Sequence, residues 1–401
     1  MNQFGILYRY ELKKIVKRRL VQVTFLICLL LVLFMASTEL IGKYYVDGQV
    51  ADTHYHMFLV DREYARTLSG RKIDQQLLEE AVAAYGQIPP DADRYTLTEE
   101  YQTYARPYSA VFNIIRSWTQ QGLSGVMKWD PDENALYSAR SDLLKAAWES
   151  MLLSDTEKTY WQEKEAQLEI PMTFYYYDGY SALLNNFAPI GLIVLLFVSI
   201  TLSGIFPEEH VRKTDQLMLS SARGKDTVYF SKICAGMTVA AVFSLLATML
   251  NGALTLGIYG TDGFGAALQI RYDYSYPLTF GQACILVYGI LILTAVFMGV
   301  LVMILSETLH NGIATLAVSV GFLIMGSMFG IPVQYRILSQ LWSALPTSFL
   351  DIERIFTIQP VSLFGRCCTL WQAAPLVYLL CGIAAVAAGK RIFAGYQVWG
   401  R

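Results

Sequence analysis

The chain has 401 residues, 54% of them apolar and 16% charged, with a net charge of −2. Soluble globular chains run at about 45–50% apolar and about 25% charged, so the balance points to a membrane protein, and the near-neutral charge excludes nucleic acid as an expected partner. The six cysteines all lie outside the long polar segment 43–184, so that segment is not a disulfide framework.

In chain order, residues 1–19 come first. Helical spacing gathers Phe4, Tyr8, Leu12, Ile15 and Val16 on one face and basic residues on the other. That pattern predicts an amphipathic helix lying in the membrane interface, its cations near anionic lipid headgroups. Leu20–Ile41 is the first run near the 20 apolar residues a bilayer-crossing helix needs. Its apolar core exceeds the 7–15 residues of a signal peptide, so it is expected to stay as an anchor over residues 20–42. Residues 43–184 are polar and Tyr-rich. The stretches DQQLLEEAVAAYG, LTEEYQTYARPYSAVFNIIRSW and ENALYSARSDLLKAAWESMLLSDTEKTYWQEKEAQLEI carry helical periodicity, and IPPDAD breaks it. A mostly helical ectodomain is the expectation. His54 and His56, two apart, would point to different faces of a helix, so no metal site is expected there.

Five further spans follow at Phe187–Phe206, Ile233–Ile258, Ala283–Leu305, Gly312–Ile331 and Ala373–Gly389. Asn185 and Asn186 are capping candidates for the second span, with Pro189 in its first turn. The fold class read from this layout is an all-α polytopic membrane protein with six transmembrane helices occupying 20–42 and 185–401. Lys and Arg cluster before the first span, after the second and after the sixth. The positive-inside rule then puts both termini in the cytoplasm, in the plasma membrane, with 43–184, 260–282 and 332–372 outside.

The spans hold almost no ionisable side chains: Glu39 stands at one edge and Glu307 at another. Such groups cost about 2.5–3.5 kcal/mol each on insertion scales and are kept only for a task, so energy is expected to enter elsewhere. No HExxH occurs. Glu307 and His310 in ETLH share a helix face as a local cap or salt bridge, and ARGKD lacks both the first glycine and the Ser/Thr of a Walker A loop. Neither an enzyme activity nor a cofactor is expected of the chain itself. GSMFG at 326–330 allows close helix approach, within the chain or at a dimer face.

The segment IFPEEHVRKTDQLMLSSARGKDTVYFSKI, between the second and third spans, concentrates charge. Glu208 and Glu209 end the second span. Val211, Thr214, Leu217 and Met218 follow at helical spacing, and SSARG closes the helix with Gly224 as a left-handed C′ residue. This segment resembles the one after the second span of ABC-2 type transporter permeases, through Phe206, Glu209, Thr214, Leu217, Leu219, Ser220, Ser221, Arg223, Gly224 and Lys232. Lys213 stands where that family usually has glycine. YRYELKKIVKRR looks like the family's elbow helix. The resemblance implies an exporter permease that pairs with a second permease chain, identical or related, and is driven by a separate cytoplasmic ATP-binding cassette ATPase. It implies a coupling helix at 206–232, with Phe206, Glu208, Glu209, Arg212, Thr214, Leu217, Met218, Ser220, Ser221, Arg223 and Gly224 at the ATPase interface. Glu11, Glu307 and His310 would be secondary cytoplasmic contacts. The competing reading is a membrane-anchored sensor or binding protein that uses its ectodomain.

Overall fold

The computed structural model describes residues 3–46, 49–89, 94–212, 224–363 and 366–395. The described residues are mostly helical, with little sheet. Among the described residues, five helices are long and apolar enough to cross a bilayer: Arg19–Ala36, Asp178–Leu202, Gly224–Tyr259, Phe280–Leu309 and Leu370–Gly395. The remaining expected span is a shorter apolar helix, Gly312–Met328, of 17 residues. At 1.5 Å per residue it reaches about 26 Å, short of the roughly 30 Å hydrocarbon core.

The second span forms the centre of the bundle. Its apolar window is 72% buried, against 28% for the first span and 22% for the last. It starts at Asp178, so Asn185, Asn186 and Pro189 lie inside the helix and not at its start, as the capping reading had it. Proline removes one backbone donor, a loss that bundled membrane helices absorb through their neighbours. Gly191 sits where this helix meets the 348–350 turn, and a Cβ there would overlap Leu350.

Outside the spans the polar segment is helical but more broken than its periodicity predicts. Asp74 caps Gln75–Tyr85 by accepting from the Leu77 amide. The long stretch from Glu133 divides into Glu133–Ser150 and Asp155–Glu165, because Leu152 turns left-handed at φ +53° and Ser154 opens a new capping box with Glu157. Two antiparallel hairpins, Lys43–Val46 with Gln49–Thr53 and Val361–Leu363 with Arg366–Cys368, depart from the all-α expectation. His56 is held by Asp52 at 2.6 Å.

The three segments at this end of the bundle interlock. The buried Trp118 indole donates to the Ile270 carbonyl at 3.0 Å, and Arg140 donates to the Tyr274 carbonyl at 3.2 Å. Trp161, fully buried, donates to the Ile358 carbonyl at 2.6 Å. Tyr276 reaches the Thr357 carbonyl at 3.1 Å, and Arg336 pairs with Glu157. Residues 43–177, 260–279 and 332–369 therefore form one polar cap. Gly326 of the GSMFG motif packs against Thr347 of the same chain, where a Cβ would overlap the threonine side chain.

Candidate functional site

The opposite end of the bundle gathers the N-terminal helix, the start of the connector, the first turns of the third span and the 306–312 turn. The N-terminal helix spans Gln3–Val16 and packs along the third span, with the Tyr8 hydroxyl 2.9 Å from that of Thr238. Its inward face centres on Glu11 and Ile15, both buried, while Val16 is exposed. The face is thus rotated from the purely apolar one expected, so that a carboxylate points inward.

That carboxylate meets a buried ammonium. Lys232 of the third span is fully buried, and its Nζ lies 2.9 Å from Glu11 Oε2 and in contact with Glu209 Oε1. Lys14 Nζ closes the group, 2.5 Å from Glu209 Oε1 and 3.9 Å from Glu11 Oε2. Two carboxylates and two ammoniums thus balance, Glu11, Glu209 and Lys232 withheld from water and Lys14 partly open to it. Charges of this kind are tolerated inside a protein only when each is paired. Beside them Lys232 lies 5.9 Å over the Phe206 ring. Phe206 in turn packs with Tyr229 and with Phe393 of the last span, at centroid distances of 6.1 and 5.8 Å. Arg18 pairs with Glu208 at 2.8 Å, and its guanidinium also reaches the Gly204 carbonyl.

The connector leaves the second span through a short helix, Pro207–Arg212, with Glu208 and Glu209 in its first turn, where carboxylates suit the helix dipole. Glu208 is partly open to solvent; Phe206 and Glu209 are buried in the chain's own packing. Thr214, Leu217, Met218, Ser220, Ser221 and Arg223 lie outside the described residues, as does the Arg212 side chain. Gly224, read as a left-handed C′ residue, is instead the first residue of the third-span helix, with Asp226 in its first turn. Lys390 of the last span pairs with Asp226 at 3.2 Å.

The 306–312 turn comes to the same place. Gly312 packs against Ser203 and Gly204, so a Cβ there would sit 3.4 Å from the Gly204 Cα. His310 is exposed and ends the fourth span in the left-handed region at φ +52°, with its ring 3.2 Å from the Thr308 carbonyl, while Glu307 is buried. The arrangement therefore brings Glu11, Glu209 and Lys232 into contact and sets the turn carrying Glu307 and His310 against Gly204.

Long apolar helices and a chain crossing repeatedly between two polar ends define a multi-pass membrane protein. Residues 20–387 match the family described as ABC-2 family transporter protein, which covers most of the chain. The chain belongs to that family and has the permease role in an ABC transporter. Comparison with curated proteins and with solved structures returned no match.

Proposed function

We propose that this permease is the membrane subunit of an exporter, with its connector end in the cytoplasm, and that an ATP-binding cassette ATPase docks on segment 206–232. Two permease chains would complete the pathway in the plasma membrane. The observation that carries this reading is the buried group of Lys232, Glu209 and Glu11, closed at its edge by Lys14. It ties the root of the connector to the third span and to the N-terminal helix, so a push on the connector reaches two other elements at once.

This divides the candidate interface residues into two roles. Phe206 and Glu209, buried with Glu11 and Glu307, transmit the push inside the permease. Glu208, Arg212, Thr214, Leu217, Met218, Ser220, Ser221, Arg223 and Gly224 form the docking surface, with charge setting register and Leu217 and Met218 the buried contact. His310, on the neighbouring turn, is a secondary contact.

The test is to isolate the full chain with its co-purifying ATPase and reconstitute both in vesicles. Leu217→Asp with Met218→Asp should abolish co-purification and leave the permease's melting temperature unchanged. Undiminished ATPase capture by that double variant would overturn the docking assignment.

A further inference from the structure

The second span is the most buried of the long helices, and between Asp178 and Leu202 only three of its residues are exposed: Asn185, Ala188 and Leu192. They fall at i, i+3 and i+7, a single helical stripe. All three line one cavity of about 490 Å³ at the cap end of the bundle. A central helix whose whole exposed surface opens onto a concave space of ligand size needs something to fill that space.

The rest of the lining says what. Across from the stripe stand Arg271 from the 260–279 segment and Asp351, Glu353 and Arg354 from the last loop. Arg354 is spent within the chain: it donates to the Gly326 carbonyl at 3.0 Å and the Phe329 carbonyl at 3.2 Å, and lies 3.4 Å from Asp351. Arg271 donates to the neutral Asn185 amide oxygen at 2.9 Å, packs over the Tyr274 ring and lies near the Asp273 carboxyl, but among the described residues no ion pair reaches its guanidinium. Glu353 is exposed and, among the described residues, no ion pair reaches its carboxylate. Among the described residues one guanidinium and one carboxylate thus line the cavity without an ion pair, above an apolar wall of Ala188, Pro189 and Leu192.

We propose that this cavity binds a zwitterionic lipid from the surrounding leaflet, its phosphate on Arg271, its ammonium on Glu353 and its chain along the Ala188–Leu192 stripe. A purely anionic head would satisfy Arg271 but meet Glu353, and a head without a chain would leave the apolar wall wet. The inference concerns binding only and does not rest on the ATPase reading.

The full chain is purified in a neutral maltoside detergent and titrated, by native mass spectrometry, with lysophosphatidylethanolamine, lysophosphatidylglycerol and chain-free glycerophosphoethanolamine. The first should bind at least about tenfold tighter than the other two. Arg271→Gln and Glu353→Gln, both at exposed or half-exposed positions, should each weaken it about tenfold, roughly 1.4 kcal/mol, at an unchanged melting temperature. Ala188→Trp should block it. Equal affinity for the anionic lipid, or full affinity in both polar variants, would overturn the proposal. So would a chain that binds none of the three and loses a dimer, seen by light scattering, on Ala188→Trp, since the stripe would then be covered by a second copy.

Discussion

Replacing Lys232 by Met removes the ammonium that joins Glu11 to Glu209 while keeping most of the side-chain volume. Both carboxylates then remain about 5% exposed with Lys14 as their remaining cation among the described residues, at 2.5 Å from one and 3.9 Å from the other. Leaving a buried charge uncompensated costs about 3–5 kcal/mol. An unfolding entropy near 2.1 cal/mol/K per residue over 401 residues turns that into a melting temperature lower by about 4–6 °C. Intrinsic-fluorescence melting of the detergent-solubilised chain measures it. The informative companion is Lys232→Met with Glu11→Gln, which removes one charge of each sign and leaves the Lys14–Glu209 pair intact. It should recover most of the loss, because nothing buried is left unpaired. A single variant within about 1 °C of wild type, or a double variant that melts as low as the single, would refute the reasoning.

The polar cap yields further expectations. Residues 43–177 expressed alone should fail to give a cooperative thermal transition by circular dichroism, since Trp118, Arg140 and Trp161 lose acceptors on other segments, at about 1–3 kcal/mol for each buried donor left unmade. A sharp transition would show that the ectodomain folds by itself. Gly326→Ala forces a Cβ into Thr347 and should cost about 1–3 kcal/mol by overpacking; adding Thr347→Gly, which removes both the hydroxyl and the Cβ it meets, should recover part of the melting temperature. Arg71 holds the Glu80 carboxyl below its ordinary range through paired hydrogen bonds of 2.7 and 2.9 Å. The depressed value means the pair's contribution is complete above about pH 4.3 and disappears as pH falls through the lowered pKa. Wild type should therefore exceed Glu80→Gln by about 0.5–1 kcal/mol at neutral pH, and the two melting curves should converge in acid.

The spans were legible because a run of some 20 apolar residues has few other solutions. Their ends were harder. Asp178, Gly179 and Tyr180 fall in the polar segment 43–184 by sequence, because the polar Asp-Gly pair conceals that Tyr180 and Leu183 continue the buried face. The first hairpin had a signal in Tyr44, Val46 and Val50 around the Asp47-Gly48 dipeptide, a common two-residue turn in such sequences. The charge cluster shows what pattern reading misses. Glu11, Glu209 and Lys232 are distant in the chain, and charged residues near span ends are read as solvated. Yet Glu11 stands on the same face as Tyr8, Leu12 and Ile15, and Lys232 lies between Ser231 and Ile233 at the start of an apolar run. A charge within an apolar stripe is the local sign of a buried partner, though periodicity alone names no partner.

Because all three segments of the cap are stitched together, the spans are gathered at that end as the legs of a pair of tongs are gathered at the rivet. The third span is held there through its Tyr259 carbonyl, which accepts from Tyr176 at 3.0 Å. It runs 36 residues to Gly224, about 54 Å at helical rise. A tilt of about 5° about the cap would swing its far end by about 5 Å, close to one helical turn, with little disturbance where it is riveted. On that geometry a given tilt displaces the connector end most and the cap end least.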